Sequence, residues 1–132
     1  MLLRVGIDLV LIERIDRIYK KFPQRFLDRI MTEAEQSVFK KNHYKAASLA
    51  ARFAAKEAVL KAIGCGIGPA ALNEVVIHTS KGQAPQVELL GQPAEKAAAQ
   101  GINAVALSLT HEPPFACACA AAYRAQEHSA FR

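Results

Sequence analysis

The stretch from Ala46 to Ile63 constrains the fold more than any other part of the chain. It is rich in Ala, Leu and Lys and contains neither Pro nor Gly, so its composition predicts an α-helix. Gly64 follows directly, and glycine often ends helices because it adopts a left-handed conformation without steric cost. We therefore expect one long central helix that ends at Gly64, with the remaining elements packed around it.

The central helix is predicted to place charged side chains beside an apolar face. At about 100° per residue, one broad face collects five apolar side chains, namely Leu49, Phe53, Val59, Leu60 and Ile63. Lys56 falls inside this face, with Arg52 at one edge and Glu57 at the other. Lys61 lies one turn beyond Glu57 on the same side.

Two interpretations of these charges are open. In the first, Lys56 extends its ammonium to water, and Glu57 and Lys61 form an ordinary helix-stabilising pair. In the second, the charges belong to a functional site, because an unpaired buried charge is costly. Three cations and one carboxylate around a single buried face then indicate a site for a polyanion and a metal ion.

Length and composition indicate one folded domain over residues 1–132. The chain is 52% hydrophobic and 22% charged, which is typical of a globular protein, and its net charge of +5 favours an acidic or phosphorylated partner. No segment resembles a signal peptide or a membrane span. The three cysteines, Cys65, Cys117 and Cys119, lack metal-ligand spacing. We expect reduced thiols, a cytoplasmic location and no membrane association.

The remaining elements predict an α+β fold. Residues 4–10 have the apolar character of a buried strand, and Thr32 with Glu35 forms a capping box that begins a helix. The full order is a strand at 4–10, a helix at 11–22, a shorter turn at 24–30, a helix at 32–41, the central helix, a hairpin at 73–79 and 86–90, a short helix at 93–100, and strands at 103–110 and 115–123. This order predicts a mostly antiparallel sheet packed against the long central helix, with residues 126–132 as a frayed tail.

Outside the central helix, two residues are candidates for a site. Asp8 lies at the end of the first strand, where it would either cap the following helix or hold a metal ion, and Gly6 beside it would permit a close approach of backbone or ligand. His111 lies between a strand and a Pro-Pro turn, where it should be accessible, although a single histidine is more often structural.

Basic residues crowd the segment from 11 to 30, including Arg14, Lys21, Arg25 and Arg29. Such residues usually form a solvated face. They could also dock an acidic partner protein, with Phe22 or Phe26 as an apolar anchor.

These motifs together resemble a known family. Gly6-Ile7-Asp8 and the helical run Arg52-Phe-Ala-Ala-Lys56-Glu57-Ala-Val-Leu-Lys61 resemble the phosphopantetheinyl transferases. The short length places the resemblance with the small bacterial holo-[acyl-carrier-protein] synthases, over residues 5–123. Three further motifs support this: Arg25-Phe26 with Arg29-Ile30, Gly64-Cys-Gly66-Ile-Gly68, and Ser108-Leu-Thr-His111.

The resemblance implies the transfer of 4′-phosphopantetheine from coenzyme A to a serine of apo acyl carrier protein, with adenosine 3′,5′-bisphosphate as the second product, for fatty acid biosynthesis. It implies Asp8 and Glu57 as Mg²⁺ ligands and Lys61 as the catalytic cation at the pyrophosphate. The proton acceptor stays open between Glu57 and a metal-bound water that Glu57 orients.

The resemblance also implies a binding site for coenzyme A. Arg52 and His111 match positions that hold its 3′-phosphate, Gly64 and Gly66 belong to a loop beside it, and Lys56 is either close to a phosphate or structural.

Three further expectations follow from the resemblance. The basic residues Arg14, Lys21, Arg25 and Arg29 would dock the acidic carrier protein, and the protein would assemble as a homotrimer with sites between subunits. Glu112, where a small hydroxyl residue is expected, would either weaken 3′-phosphate binding or point away.

Two other functions are compatible with the charge of the chain. A nucleic-acid-binding module would explain the basic residues, but no stacking platform or recognition motif accompanies them, so we expect no nucleic-acid partner. A metal-dependent phosphohydrolase would use the same acids and cations, and it would need only water as acceptor.

Overall fold

The computed structural model describes residues 1–65 and 72–126. Its elements are β1 (Leu2–Leu11), α1 (Ile12–Lys21), α2 (Pro23–Ile30), α3 (Glu33–Lys41), α4 (Ala46–Ile63), a 3₁₀ turn (Leu72–Glu74), β2 (Val75–His78), β3 (Gln86–Leu89), α5 (Gly91–Ala99), β4 (Ala104–Glu112) and β5 (Phe115–Tyr123). The predicted α+β order is confirmed. The expected glycine loop around Gly66 and most of the expected tail lie outside the described residues.

Local sequence signals explain where several helices begin and end. Thr32 and Glu35 form the predicted capping box at α3, and Gly64 ends α4 with a φ of 75°. Residues 23–30 form a complete helix rather than the expected short turn, because Pro23 occupies the first helical turn, where its missing N–H costs nothing.

The strands form two antiparallel sheets. One has the order β1-β5-β4 and the other is the β2–β3 hairpin. In the larger sheet, Asp8 pairs with Ala118, which in turn pairs with Leu109. The prediction of antiparallel pairing is therefore confirmed, although two sheets replace the single one expected.

Helix α4 is buried on almost all sides, so the prediction of a single apolar face was wrong. Alanines fill the positions expected to face solvent: Ala50, Ala51, Ala54, Ala55, Ala58 and Ala62 are all buried. The opposing strand β5 also presents small side chains, since Ala116, Ala118, Ala120 and Ala122 are buried. Small residues on both elements let the helix lie close to the sheet.

Gly6 marks the closest approach between β1 and α4. A Cβ atom at this position would lie 2.7 Å from the backbone nitrogen of Ala62 and would overlap the carbonyl oxygen of Ala58. The expected role of Gly6 is confirmed, with the α4 backbone as its neighbour. Because of this contact, the side chains of β1 that point inward meet α4 directly.

The opposite surface of the larger sheet is apolar and exposed. We call it the outer face and define it by six residues that are 38% to 61% exposed, namely Leu3, Val5, Ile7, Leu9, Leu11 and Phe115. The expectation of a fully buried first strand was therefore wrong, since β1 buries only one face. Contiguous apolar surface of this kind commonly marks an interface.

The described residues contain no helix that is both long and apolar enough to span a bilayer. Each of the three cysteines is a free thiol, in agreement with the expectation of reduced thiols.

Candidate active site

Asp8 lies on the face of β1 that meets α4. Its Oδ1 accepts a hydrogen bond of 3.0 Å from Lys61 Nζ, and the same ammonium donates to the backbone carbonyl of Ile7 at 3.0 Å. The alternative role of Asp8 as a helix cap was wrong, because α1 begins at Ile12 and no side chain caps it. Asp8 instead belongs to a cluster with the end of α4.

Glu57 lies beside this pair and forms no ion pair with Lys61. The alternative in which Glu57 and Lys61 form an ordinary helix-stabilising pair was therefore wrong, because Lys61 donates to Asp8 and Ile7 of β1. Glu57 is only 6% exposed. Burial raises the pKa of its carboxyl, and the carboxylate of Asp8 raises that pKa further, while Lys61 and Arg14 lower it. An effect of Asp8 on the pKa of Glu57 requires the two acids to be near neighbours.

One oxygen of each acid lacks a hydrogen-bond donor. Among the described residues, Asp8 Oδ2 and Glu57 Oε2 are the only fully buried side-chain oxygen or nitrogen atoms without a partner. Buried carboxylate oxygens are normally hydrogen-bonded or bound to a cation. The pair thus has the character of a cation site, and hard oxygen ligands suit Mg²⁺. No group of three His, Cys, Asp or Glu residues suited to a metal occurs in residues 1–65 and 72–126.

Lys56 lies on the other side of α4 and is completely buried. Its ammonium donates to Glu35 Oε1 at 2.8 Å and to the carbonyl oxygens of Ile30 and Leu72. Burial lowers its pKa to about 8, against the opposing effect of Glu35. The interpretation that Lys56 extends to water was therefore wrong, and its contacts support a structural role over contact with a phosphate.

Arg52 and His111 line one cavity of about 310 Å³, together with His43, Lys45 and Thr79. Arg52 reaches it from α4, and His111 from the end of β4. The two basic side chains and the two histidines around this cavity suit a phosphate ligand, because positive charge attracts phosphate.

The cavity and the carboxylate pair lie on the same side of the larger sheet. Asp8 and His111 pair with Ala118 and Ala116 of the intervening strand β5, so their strands are about 10 Å apart. Along α4, Arg52 precedes Glu57 by a rise of about 7.5 Å. The fold therefore places the cationic cavity and the carboxylate pair on one side of the sheet, on strands about 10 Å apart.

Glu112 follows His111 on the same strand, and successive side chains on a strand point to opposite faces. It pairs with Phe115 of the outer face and is absent from the cavity lining described above. Of the two alternatives left open for Glu112, the register supports the one in which it points away.

The basic residues of the first two helices form an exposed surface. Arg14, Lys21, Arg25 and Arg29 are all exposed. Phe22 is 47% exposed, and Lys21 and Arg25 lie 5.6 and 5.9 Å from its ring centroid. Phe26 is buried and packs against Phe53, so only Phe22 could serve as the anchor considered above.

Comparison with known proteins agrees with this arrangement. The model of the 4′-phosphopantetheinyl transferase superfamily matches residues 4–120. The chain belongs to this superfamily. A holo-[acyl-carrier-protein] synthase from Moorella thermoacetica is 40% identical over 119 residues, which cover 90% of this chain and 92% of that relative. The resemblance inferred from the motifs is thus confirmed.

Solved structures share the fold of this phosphopantetheinyl transferase. The holo-[acyl-carrier-protein] synthase of Neisseria meningitidis superposes with a TM-score of 0.82 at 36% identity, covering 94% of this chain and all of that one. The Helicobacter pylori enzyme of the same name, solved in complex with coenzyme A, superposes with a TM-score of 0.77 at 33% identity, covering 90% and 99% of the two chains.

The sequence did not predict the full role of Glu35. Glu35 was recognised only as a capping residue, yet it also contacts Lys56 and Arg52. A lysine inside an apolar helix face requires a carboxylate partner, and that requirement was the available signal. That requirement does not show which Asp or Glu of the chain is the partner.

Proposed function

We propose that this phosphopantetheinyl transferase moves the 4′-phosphopantetheine group of coenzyme A to a serine hydroxyl of apo acyl carrier protein. Adenosine 3′,5′-bisphosphate is the second product. One observation carries the proposal: two buried carboxylate oxygens without donors, on Asp8 and Glu57, lie on the same side of the sheet as a cationic cavity. The names of the relatives and the coenzyme A complex of the Helicobacter pylori enzyme support it.

Coenzyme A binds with its 3′-phosphate in the cavity between Arg52 and His111. The guanidinium offers several donors in a fixed plane, which suits phosphate. The pyrophosphate then lies toward the carboxylate pair, where Lys61 adds a positive charge. Gly64, which ends α4 with a left-handed conformation, lies beside this ligand. The corresponding expectation for Gly66 falls outside the described residues.

Asp8 and Glu57 would hold Mg²⁺, because this ion prefers carboxylate oxygens. The bound ion supplies charge neutralisation at the pyrophosphate. The unpartnered oxygens of the two acids are the feature of this chain that fits such an ion.

The reaction forms a bond between the serine oxygen and the β-phosphorus of coenzyme A and breaks the bond from that phosphorus to the bridging oxygen. The electron pair leaves with adenosine 3′,5′-bisphosphate. Glu57 accepts the serine proton, directly or through one water that it orients. Lys61 stabilises the negative charge that develops on the leaving phosphate.

The carrier protein docks on the basic surface of α1 and α2. Arg14 lies close enough to lower the pKa of Glu57, so a partner bound to this surface would present its serine near the carboxylate pair. Lys21, Arg25 and Arg29 complete the cationic area, and Phe22 provides an apolar contact within it. An acidic protein is attracted to such a surface at long range.

The protein assembles as a homotrimer through its outer face. Six apolar residues exposed on one sheet surface support an interface, and Cys117 and Cys119 extend this surface because they pair with Leu9 and Ile7. The enzyme acts in the cytoplasm, where it serves fatty acid biosynthesis.

The test is a transfer assay. The protein is mixed with Mg²⁺, coenzyme A and apo acyl carrier protein, and the carrier is weighed by mass spectrometry. We expect a gain of one phosphopantetheine with wild type, and no gain with Asp8→Asn or in the presence of excess EDTA.

Two outcomes would contradict the proposal. A carrier that stays unmodified in the presence of correctly folded protein would reject transfer altogether. Consumption of coenzyme A without a change in the carrier would instead indicate a phosphohydrolase.

A further inference from the structure

Glu35 lies at the centre of a buried charge network behind the cavity. Its Oε1 accepts from Lys56 Nζ at 2.8 Å and from the backbone N–H of Thr32 at 3.0 Å. Its Oε2 accepts from Arg52 Nη1 at 3.3 Å and from the backbone N–H of Ile77 at 3.1 Å. The hydroxyl of Thr32 also donates to Oε1, at 3.5 Å. These donors come from α4, from β2 and from the residue that caps α3, and together they fix the orientation of this carboxylate.

Arg52 is held by one edge of its guanidinium only. Nη1 donates to Glu35 and to the carbonyl oxygen of Ile77, at 3.2 Å for the latter. In residues 1–65 and 72–126, neither Nη2 nor Nε of Arg52 has a hydrogen-bond partner. The side chain is 17% exposed and lines the cavity with His111. The unbonded edge of the guanidinium is therefore available to a ligand.

The charges of the network leave one positive charge unbalanced. Arg52 and Lys56 are cations and Glu35 is the single carboxylate between them. The buried ammonium of Lys56 neutralises the carboxylate of Glu35. The positive charge of Arg52 therefore remains available to attract an anionic ligand, although Arg52 is hydrogen-bonded to Glu35. Lys56 thus has a function that does not require contact with the ligand.

We infer that Glu35 is a positioning residue which, neutralised by Lys56, aims Arg52 at the 3′-phosphate of coenzyme A and so distinguishes coenzyme A from its 3′-dephospho form. The inference rests on the proposed function for the identity of the ligand. It adds a determinant of specificity that touches no substrate.

The first experiment compares steady-state transfer from coenzyme A and from 3′-dephospho-coenzyme A. For Glu35→Gln we expect the KM for coenzyme A to rise about tenfold, as for the loss of one charge-assisted hydrogen bond. The KM for 3′-dephospho-coenzyme A and both kcat values should change less than about twofold. Glu33→Gln, an exposed residue of the same helix, loses the same charge and should behave as wild type.

Two results would overturn the inference. Equal increases in both KM values, or a fall in kcat alone, would indicate a purely structural role for Glu35. A stronger preference for coenzyme A in Glu35→Gln would show that the total charge matters and orientation does not, since the substitution removes a negative charge near the phosphate.

A double variant controls for the possibility that Glu35→Gln does not fold. Glu35→Gln leaves the Lys56 ammonium buried without its partner, whereas Glu35→Gln/Lys56→Met removes both charges together, which is better tolerated. We expect the double variant to fold, by circular dichroism, and still to lose about tenfold in its preference for coenzyme A. A folded double variant with wild-type preference would refute the inference.

Nucleotide binding, measured by calorimetry, tests this inference independently of the transfer reaction. Adenosine 3′,5′-bisphosphate and adenosine 5′-monophosphate are titrated into the same proteins without carrier protein. Preferential binding of the bisphosphate by wild type, reduced about tenfold in Glu35→Gln, supports the inference even if no transfer occurs. Equal binding of the two nucleotides by wild type would overturn it even if transfer is observed.

Discussion

Lys61 on α4 donates to Asp8 on β1, with 3.0 Å between Nζ and Oδ1, and not to Glu57 one turn earlier on its own helix. This contact across the helix–sheet interface leaves Glu57 buried without a cationic partner of its own. The Lys61 side chain is 46% exposed, so it can contact a ligand while it orients Asp8.

The first prediction concerns Lys61. Lys61→Met should lower kcat by about 10²- to 10³-fold, the usual effect of removing a group that stabilises transition-state charge, with a smaller change in the KM for coenzyme A. Transfer to apo acyl carrier protein is the measurement. Lys96→Met, an exposed lysine on α5, is the control. A wild-type kcat in Lys61→Met would exclude Lys61 from the chemical step.

The second prediction is that Glu57→Gln stabilises the protein while abolishing transfer. A buried polar atom without a partner costs about 1–3 kcal/mol. We expect a gain near the lower limit, about 1 kcal/mol, or roughly 4 °C in Tm, because Lys61 and Arg14 partly offset the cost. The free energy of unfolding at neutral pH, without divalent ions, is the measurement. A clear loss of stability would mean that the glutamate is well satisfied in the folded state.

The stability difference between Glu57→Gln and wild type should depend on pH. The pKa of Glu57 is raised in the folded state above its ordinary value of 4.5. The folded protein therefore binds this proton more tightly, and that stabilisation is lost as the pH rises through the folded pKa. The advantage of Glu57→Gln should be small at about pH 4 and grow toward neutrality. Mg²⁺ should raise the Tm of wild type and not that of the variant.

The third prediction tests the docking surface. Arg14→Glu and Arg25→Glu should each raise the KM for the carrier protein by about tenfold or more, because like charges across an interface repel, with little effect on the KM for coenzyme A. Steady-state assays at two salt concentrations measure this, and the difference should shrink at high salt. Lys96→Glu carries the same change of charge on α5 and serves as the control. Equal carrier KM values in all three variants would place the docking site elsewhere.

The fourth prediction concerns the outer face. Val5→Glu and Leu9→Glu place charges on an apolar surface and should convert a trimer into monomers. Light scattering coupled to size exclusion measures the mass, which for wild type should be three times that of the chain. Leu90→Glu, an exposed leucine before α5, is the control. A wild-type preparation that is already monomeric would end the assembly proposal.

Local signals predicted most elements of the fold. The capping box at Thr32 and the terminal glycine at Gly64 depend on neighbouring residues only, so the sequence contains all the information needed. The single apolar face assigned to α4 failed for the opposite reason. Which alanines of a helix are buried depends on the surfaces that pack around it, and these come from β1, β4 and β5.

The sequence predicted which residues form the candidate site, but not which of them contact each other. Asp8, Glu57 and Lys61 could be recognised as a motif, but the pairing of Lys61 with Asp8 rather than Glu57 depends on the distance between β1 and α4. The partner of Lys56 was equally hidden, since Glu35 lies 21 residues away in the chain and meets Lys56 only in the folded structure. Long-range contacts of this kind leave no periodic pattern along the chain.

The alternation along β1 has a consequence for how this chain can change in length. Gly6 and Asp8 are separated by one residue, and both must point toward α4 for the glycine to admit the helix and the aspartate to reach Lys61. Deleting or inserting a single residue between them would reverse the parity of the strand and send the carboxylate to the outer face. We therefore expect related sequences to differ at Ile7 by substitution, and never by the insertion or deletion of one residue.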